Sequence, residues 1–166
     1  MPETMRRQFL REKDAAKLLD EFSGKLRIDL KELLQTKKPS VEVAENPDAE
    51  LIYLGGKPLA ARLKGVLVPT LLFEKALLRL PKIVVNMGAV PHICNGADVL
   101  APGVVKVDGA FLANDFAVVV DERHRKPLAV VIALVDSEAI RGLARGKVAG
   151  NLHYVGDALW SLLKKG

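Results

Sequence analysis

At 166 residues, 49% hydrophobic and 27% charged, the chain has room for one ordinary domain or two small ones and lies far from the low-hydrophobicity signature of disorder. Its 25 basic and 20 acidic side chains leave a net charge of +5, an excess that favours an acidic partner such as a nucleic acid and equally fits a solvated surface. The single cysteine, Cys94, excludes an intramolecular disulfide and argues against structural zinc. The charged opening MPETMRRQFLREKD and the absence of any apolar run near the ~20 residues of a membrane span point to a soluble, cytoplasmic setting.

In chain order, Ala15, Leu18, Leu19 and Phe22 recur at helical spacing, which predicts a helix over 14–22 stopped by Ser23-Gly24. Leu26 to Leu34 fits both periods and reads as a short strand running into a helix. Val41-Glu42-Val43 alternates as a strand, and Asn46-Pro47-Asp48 marks a turn. The segments 51–54 and 58–63 flank Gly55-Gly56, a hairpin signal because primed turns need positive φ; Pro58, with no amide donor, suits an edge position. A helix over 71–80 ends at Pro81, where a boundary divides domains 1–80 and 81–166.

The stretch KIVVNMGAVPHICNGADVLAPGVV, from Lys82, organises the second half. It predicts a strand, a glycine corner at Gly88, a helix of about two turns closed by Gly96 at its C′ position, and a second strand ending at Pro102-Gly103. Asn114-Asp115 then makes a turn. The apolar runs 116–120 and 128–135 form a hairpin around the basic loop 123–127, and Asp136 or Ser137 caps a helix through Arg145. A strand over 151–155 follows, with Asp157 capping a last helix that carries Trp160. Several short strands with small helices suggest a pseudo-barrel.

Three segments, VVNMGAVPHICNGADVLAPGV from Val84, FLANDFAVVVDE from Phe111 and LAVVIALVDSEAIRGLARGKVAGNLHYVGDALW from Leu128, resemble the PUA domain, an RNA-binding module named for pseudouridine synthases and archaeosine transglycosylases. Val68-Pro69-Thr70-Leu71 and the ending Asn151-Leu152-His153-Tyr154 with Asp157 and Trp160 narrow the likeness to the malignant T-cell amplified sequence family and its archaeal relatives. The resemblance implies an α+β chain: a small mixed α/β N-terminal domain followed by a PUA-like β pseudo-barrel with short helices. It also implies a translation-linked RNA binder, with rRNA or tRNA and the small ribosomal subunit as partners, together with an initiation-factor-like protein of the density-regulated type. Asn86, Asn114 and Val131 stand where such modules commonly carry Asp, Gly and Gly.

On that basis the candidate RNA-binding residues are Lys82, Gly88, Ala89, His92, Asn95, Gly96, Ala97, Arg141, Arg145, Lys147, Asn151 and His153. Gly88 and Gly96 combine turn geometry with backbone amides offered to phosphate, while His92 and Asn95, at i and i+3, share a helix face that suits a base or a solvated surface alike. Asp98 reads as a turn acid, Cys94 as an inert thiol, and Tyr154 and Trp160 as core. The basic tip at Arg123, Arg125 and Lys126 ranks below Arg141, Arg145 and Lys147. An aromatic share of 5% argues against a base-stacking platform. With no P-loop, no G-x-G-x-x-G after a strand, no metal-ligand cluster and no nucleophile with a base, neither enzymatic activity nor a cofactor is expected. Two alternatives stay open: an accessory module for tRNA or rRNA modification, and an adaptor whose N-terminal sheet docks a protein partner.

Overall fold

Eleven strands and six α-helices, in a computed structural model describing residues 6–165, sort into two sheets that share no strand. The chain divides into two units, Met1–Ala76 and Leu77–Gly166.

The first sheet follows chain order, β1 (Arg7–Phe9), β2 (Val41–Asn46), β3 (Ala49–Leu54), β4 (Lys57–Leu63) and β5 (Val66–Pro69), with every neighbour antiparallel. Gly55 and Gly56, at φ 60° and 87°, make the expected turn between β3 and β4. Helix α1 (Glu12–Leu26) buries Ala15, Leu18, Leu19, Phe22 and Leu26, and the Phe22 ring lies 6.3 Å from that of Phe73.

Local competition explains the departures in this unit. No strand forms at Leu26–Leu30. Instead α1 runs through Ser23-Gly24 to Leu26, Arg27 turns left-handed, and Asp29 caps α2 (Leu30–Leu34) by accepting the Lys31 and Glu32 amides at 3.1 and 3.4 Å. Burial of Phe22 and Leu26 offsets the ~1 kcal/mol cost of an interior glycine. Pro58 is not on an edge, since β4 lies between β3 and β5; it sits opposite Tyr53 at a register shift, where the ladder is already interrupted, and its carbonyl accepts the Thr70 hydroxyl at 2.8 Å. The helix expected over 71–80 is shorter, α3 (Glu74–Arg79).

The second sheet contains β6 (Lys82–Val85), β7 (Val99–Leu100), β8 (Val104–Asp108), β9 (Phe116–Asp121), β10 (Pro127–Ala133) and β11 (Lys147–Tyr154), in the order β7-β11-β10-β9-β6-β8. β6 runs parallel to β9 and all other pairs are antiparallel. Its edges, β7 and β8, are joined by one 3-10 turn, Ala101–Gly103. Three residues reach ~10 Å at most, so the sheet has to curl until its edges meet, and this makes the pseudo-barrel. Ile83, Val85, Val119, Val131 and Val148 fill the interior. Val131 thus points into the core.

The helices of this unit are single turns except the last: α4 (Val90–Ile93), α5 (Ser137–Ile140) and α6 (Ala158–Lys165). α4 is half the expected length. α5 ends at Ile140 and not at Arg145, because the chain turns at Gly142 and reaches φ 103° at Gly146; it starts without a side-chain cap, since Asp136 accepts the Ala113 amide at 2.8 Å and the Ser137 hydroxyl accepts the Phe111 amide at 3.0 Å. Asn114, at φ 76°, keeps the turn that glycine makes elsewhere.

Candidate nucleic-acid interface

The corner after β6 is set by one side chain. Asn86 Oδ1 accepts the Ala89 amide at 2.9 Å, doing the work an aspartate would do, and Pro91 sits in the first turn of α4, where no amide is needed. The helix closes with a Schellman pair: the Gly96 N–H donates to the Ile93 carbonyl and the Ala97 N–H to the His92 carbonyl, with Gly96 at φ 92°. A Cβ at Gly96 would come within 3.2 to 3.4 Å of the half-buried Tyr154 ring.

β11 ties this corner to the barrel. The Asn151 side chain donates to the Ile93 and Ala97 carbonyls at 3.1 and 3.0 Å, and its backbone amide donates to Asp98 at 2.9 Å. Asp98 also meets Lys147 Nζ at 3.2 Å. The Asn151 amide, with Lys147 beside it, outweighs partial burial and holds the Asp98 carboxyl below its ordinary range. Leu100 faces Lys147 across the β7–β11 ladder, and the Ala101 amide donates to the Gly146 carbonyl, so loop 141–146 flanks the closing turn of the barrel. A cleft of about 370 Å³ runs between α4 and that turn, lined by buried Val85, Ile93 and Val99, with Asn86, His92 and Asp98 as its polar groups.

The candidate residues fall into two sets. Gly88, His92, Asn95 and Ala97 are exposed at the α4 corner, with Ala89 half-buried beside them; Arg141, Arg145 and Lys147 are exposed across the cleft. Among the described residues neither Arg141 nor Arg145 forms an ion pair. The rest hold the scaffold. His153 is fully buried, its Nδ1 2.9 Å from Asp157, and so has no surface to offer an RNA. The signal was its spacing, since Asp157 at i+4 is a natural partner for a histidine facing inward. Lys82 Nζ is bound to the carbonyls of Leu77, Leu78 and Leu80 at the end of α3, where burial, reinforced by Arg125, lowers its pKa. Gly96 has its amide occupied within the helix closure, and Asn151 has its side-chain amide occupied by two carbonyls. Burial pushes the Cys94 thiol up, away from reactivity. Trp160 is half-buried beneath Lys164, whose Nζ lies 4.5 Å from the ring centre.

Residues 81–155 match the PUA domain and residues 6–79 match a domain of unknown function, DUF1947. The chain is 38% identical over 160 residues to an uncharacterized protein of Methanocaldococcus jannaschii, covering 96% of this chain and 98% of that one. It is 30% identical over 154 residues to translation machinery-associated protein 20 of Eremothecium gossypii, with 88% and 84% covered, and 28% identical over 153 residues to human malignant T-cell-amplified sequence 2, with 89% and 83% covered. This chain belongs to the malignant T-cell-amplified sequence family. The two matched domains, DUF1947 followed by PUA, succeed each other along the chain. A crystal structure of a hypothetical protein from Pyrococcus horikoshii superposes at TM-score 0.79 and 33% identity, covering 95% of this chain and 99% of that one. In the PUA unit, α4 and the cleft lie at the barrel's closing turn. Among the described residues no helix is long and apolar enough to cross a membrane.

Proposed function

We propose that this protein is a non-enzymatic RNA-binding component of the translation machinery that holds an RNA strand across the cleft beside α4, the RNA belonging to the small ribosomal subunit or to tRNA. The carrying observation is the placement of Arg141 and Arg145, exposed and without ion pairs among the described residues, beside an apolar cleft edged by His92. Unpaired arginines next to a groove whose one carboxylate, Asp98, is already paired with Lys147 suit a polyanion whose sugars and bases rest on the groove while its phosphates meet the guanidinium groups. The translation-associated name of the Eremothecium relative and the PUA match favour RNA over another polyanion.

Salt titration tests this reading. Log affinity for RNA falls linearly with log salt, and removing Arg141 and Arg145 together (both →Ala) flattens the slope by about 1.4 on a single strand, at ~0.7 per phosphate contact. An unchanged slope overturns the reading. Co-sedimentation with purified small subunits, compared against binding to free tRNA, separates a ribosomal role from service to an RNA-modifying enzyme.

A protein partner has its own place in the N-terminal unit. A groove of about 510 Å³ there is lined by Leu10, Ala15 and Leu19, with exposed Phe9, lysines 31 and 37, and the Glu12–Lys38 pair around it. It suits an acidic segment with an apolar side chain, such as an initiation-factor-like partner of the density-regulated type would have to supply.

A further inference from the structure

We propose that the β9–β10 corner, residues 121–126, is a second phosphate grip for the same RNA strand, on the opposite side of the cleft from loop 141–147. This rests on the RNA-binding reading above and adds residues that reading does not use.

Backbone hydrogen bonds fix where the corner lies. Gly146 accepts from Ala101; the 3-10 turn runs from Ala101 to Gly103; Gly103 accepts from Asn86; and Val85, one residue back, accepts from Glu122. Loop 141–147, the closing turn, the start of the α4 corner and the β9–β10 corner are therefore linked one to the next, while along β10 the loop lies at the Ala133 end and the β9–β10 corner at the Pro127 end. The parallel pairing of β6 with β9, Val85 beside Asp121, brings the last two out at the same end of the barrel. Six residue steps of about 3.3 Å along β10, from Pro127 to Ala133, put roughly 20 Å between the two basic groups. The cleft between them is lined by no basic side chain except His92, and its one carboxylate, Asp98, is paired with Lys147. A ligand engaging both ends must carry negative charge at intervals and something neutral between, which describes a ribose-phosphate chain.

The corner is built and not merely charged. Asp121 is 4% exposed, and its carboxylate accepts the amides of Arg123 at 2.9 Å, His124 at 2.5 Å and Lys126 at 3.2 Å. Arg125 takes a left-handed φ of 55°, donates its amide to the Asp121 carbonyl, and has its guanidinium held by Asp108. The one acid buried at the corner is thus saturated by backbone, and the one arginine with an acid partner is turned aside. Arg123, His124 and Lys126 remain exposed and, among the described residues, form no ion pair; Glu122, also exposed, offsets one charge. A cationic tip held in one shape loses less entropy on gripping phosphate than a floppy one.

The experiment is fluorescence anisotropy of the full chain with labelled oligouridine RNAs of about 20 and about 4 nucleotides, using a tip variant (R123A with K126A) and a loop variant (R141A with R145A). The proposal expects the tip variant to bind the long RNA about tenfold more weakly at low salt, with a slope flatter by about 1.4, and to bind the short RNA within about twofold of the parent. Wild-type binding of the long RNA by the tip variant, with the loop variant impaired, overturns this proposal and leaves the RNA-binding reading standing. Equal weakening on both lengths shows an independent site and overturns the shared-strand claim. If both variants bind as the parent does, both readings fall. All four positions are exposed, and unchanged thermal melts verify that any loss is in binding.

Discussion

The two units use their acids differently. In the N-terminal unit, acids face bases across an open surface: Glu42 meets Arg7 at 2.9 Å, Glu21 meets Arg62 at 3.1 Å, and Glu12 meets Lys38 at 2.7 Å. In the PUA unit they turn toward the backbone. Asp98 accepts the Asn151 amide, Asp115 that of Leu112, Asp136 that of Ala113, Asp121 three amides and Asp157 two. Each unit has exceptions: Asp29 caps α2 in the first, and in the second Asp108 pairs with Arg125 while Asp98 also meets Lys147. The difference teaches how a chain of modest net charge can leave arginines on its corners without ion pairs. An acid whose oxygens are taken up by backbone amides, as in Asp121, has fewer left to pair with the arginines beside it.

The contrast can be broken most directly at Asp157. It accepts the Trp160 amide at 2.7 Å and the Tyr154 amide at 2.9 Å while holding the buried His153. Asp157→Ala removes a helix cap and a charged acceptor together, and costs about 3 kcal/mol in urea unfolding. The same residue predicts a pH dependence. Burial pushes its carboxyl up, but the bond from His153 and the two amides outweigh this and leave it below the ordinary value. An unfolded aspartate titrates near 3.9, so the folded state binds fewer protons there. The stabilisation is complete above about pH 4 and is lost as pH falls through the lowered folded value. In Asp157→Ala the acid limb of stability becomes shallower; an unchanged limb counts against the assignment.

Asp121→Ala is the next largest effect, about 2 kcal/mol, because three amides lose a charged acceptor but lie near solvent that partly replaces it. Its unfolding midpoint falls between those of the parent and Asp157→Ala. The smallest effect belongs to the N-terminal unit: Glu21→Ala breaks the exposed pair with Arg62 and costs under about 1 kcal/mol, a difference that shrinks further in molar salt. Should Glu21→Ala cost as much as Asp157→Ala, the two units do not differ in the way described.

Much of this was legible in the sequence where local chemistry decides the backbone. Gly55-Gly56, Asn114, Gly96 and Asp157 each occupy the conformation or cap their residue type prefers. Legibility failed where tertiary neighbours decide. β1 shows no apolar alternation and exists through its pairing with β2, and β5 is four residues that also read as the approach to a helix. The α+β fold and PUA barrel were readable, as was the α4 corner. The proximity of loop 141–147 to Leu100 was readable only in part, and that of the β9–β10 corner to Asn86 was not, because parallel pairing of β6 with β9 leaves no trace in either strand's pattern. His153 and Lys82 look like surface donors in a list of residues, and only their surroundings reveal a buried partner for one and a helix end for the other.

The three-residue closure at Ala101–Gly103 narrows how other molecules can dock. By holding the two outer strands within a short turn of each other it leaves little room for a foreign β-strand to be added between them. Lengthening that link by a few residues would let the two edges part and open room for another strand.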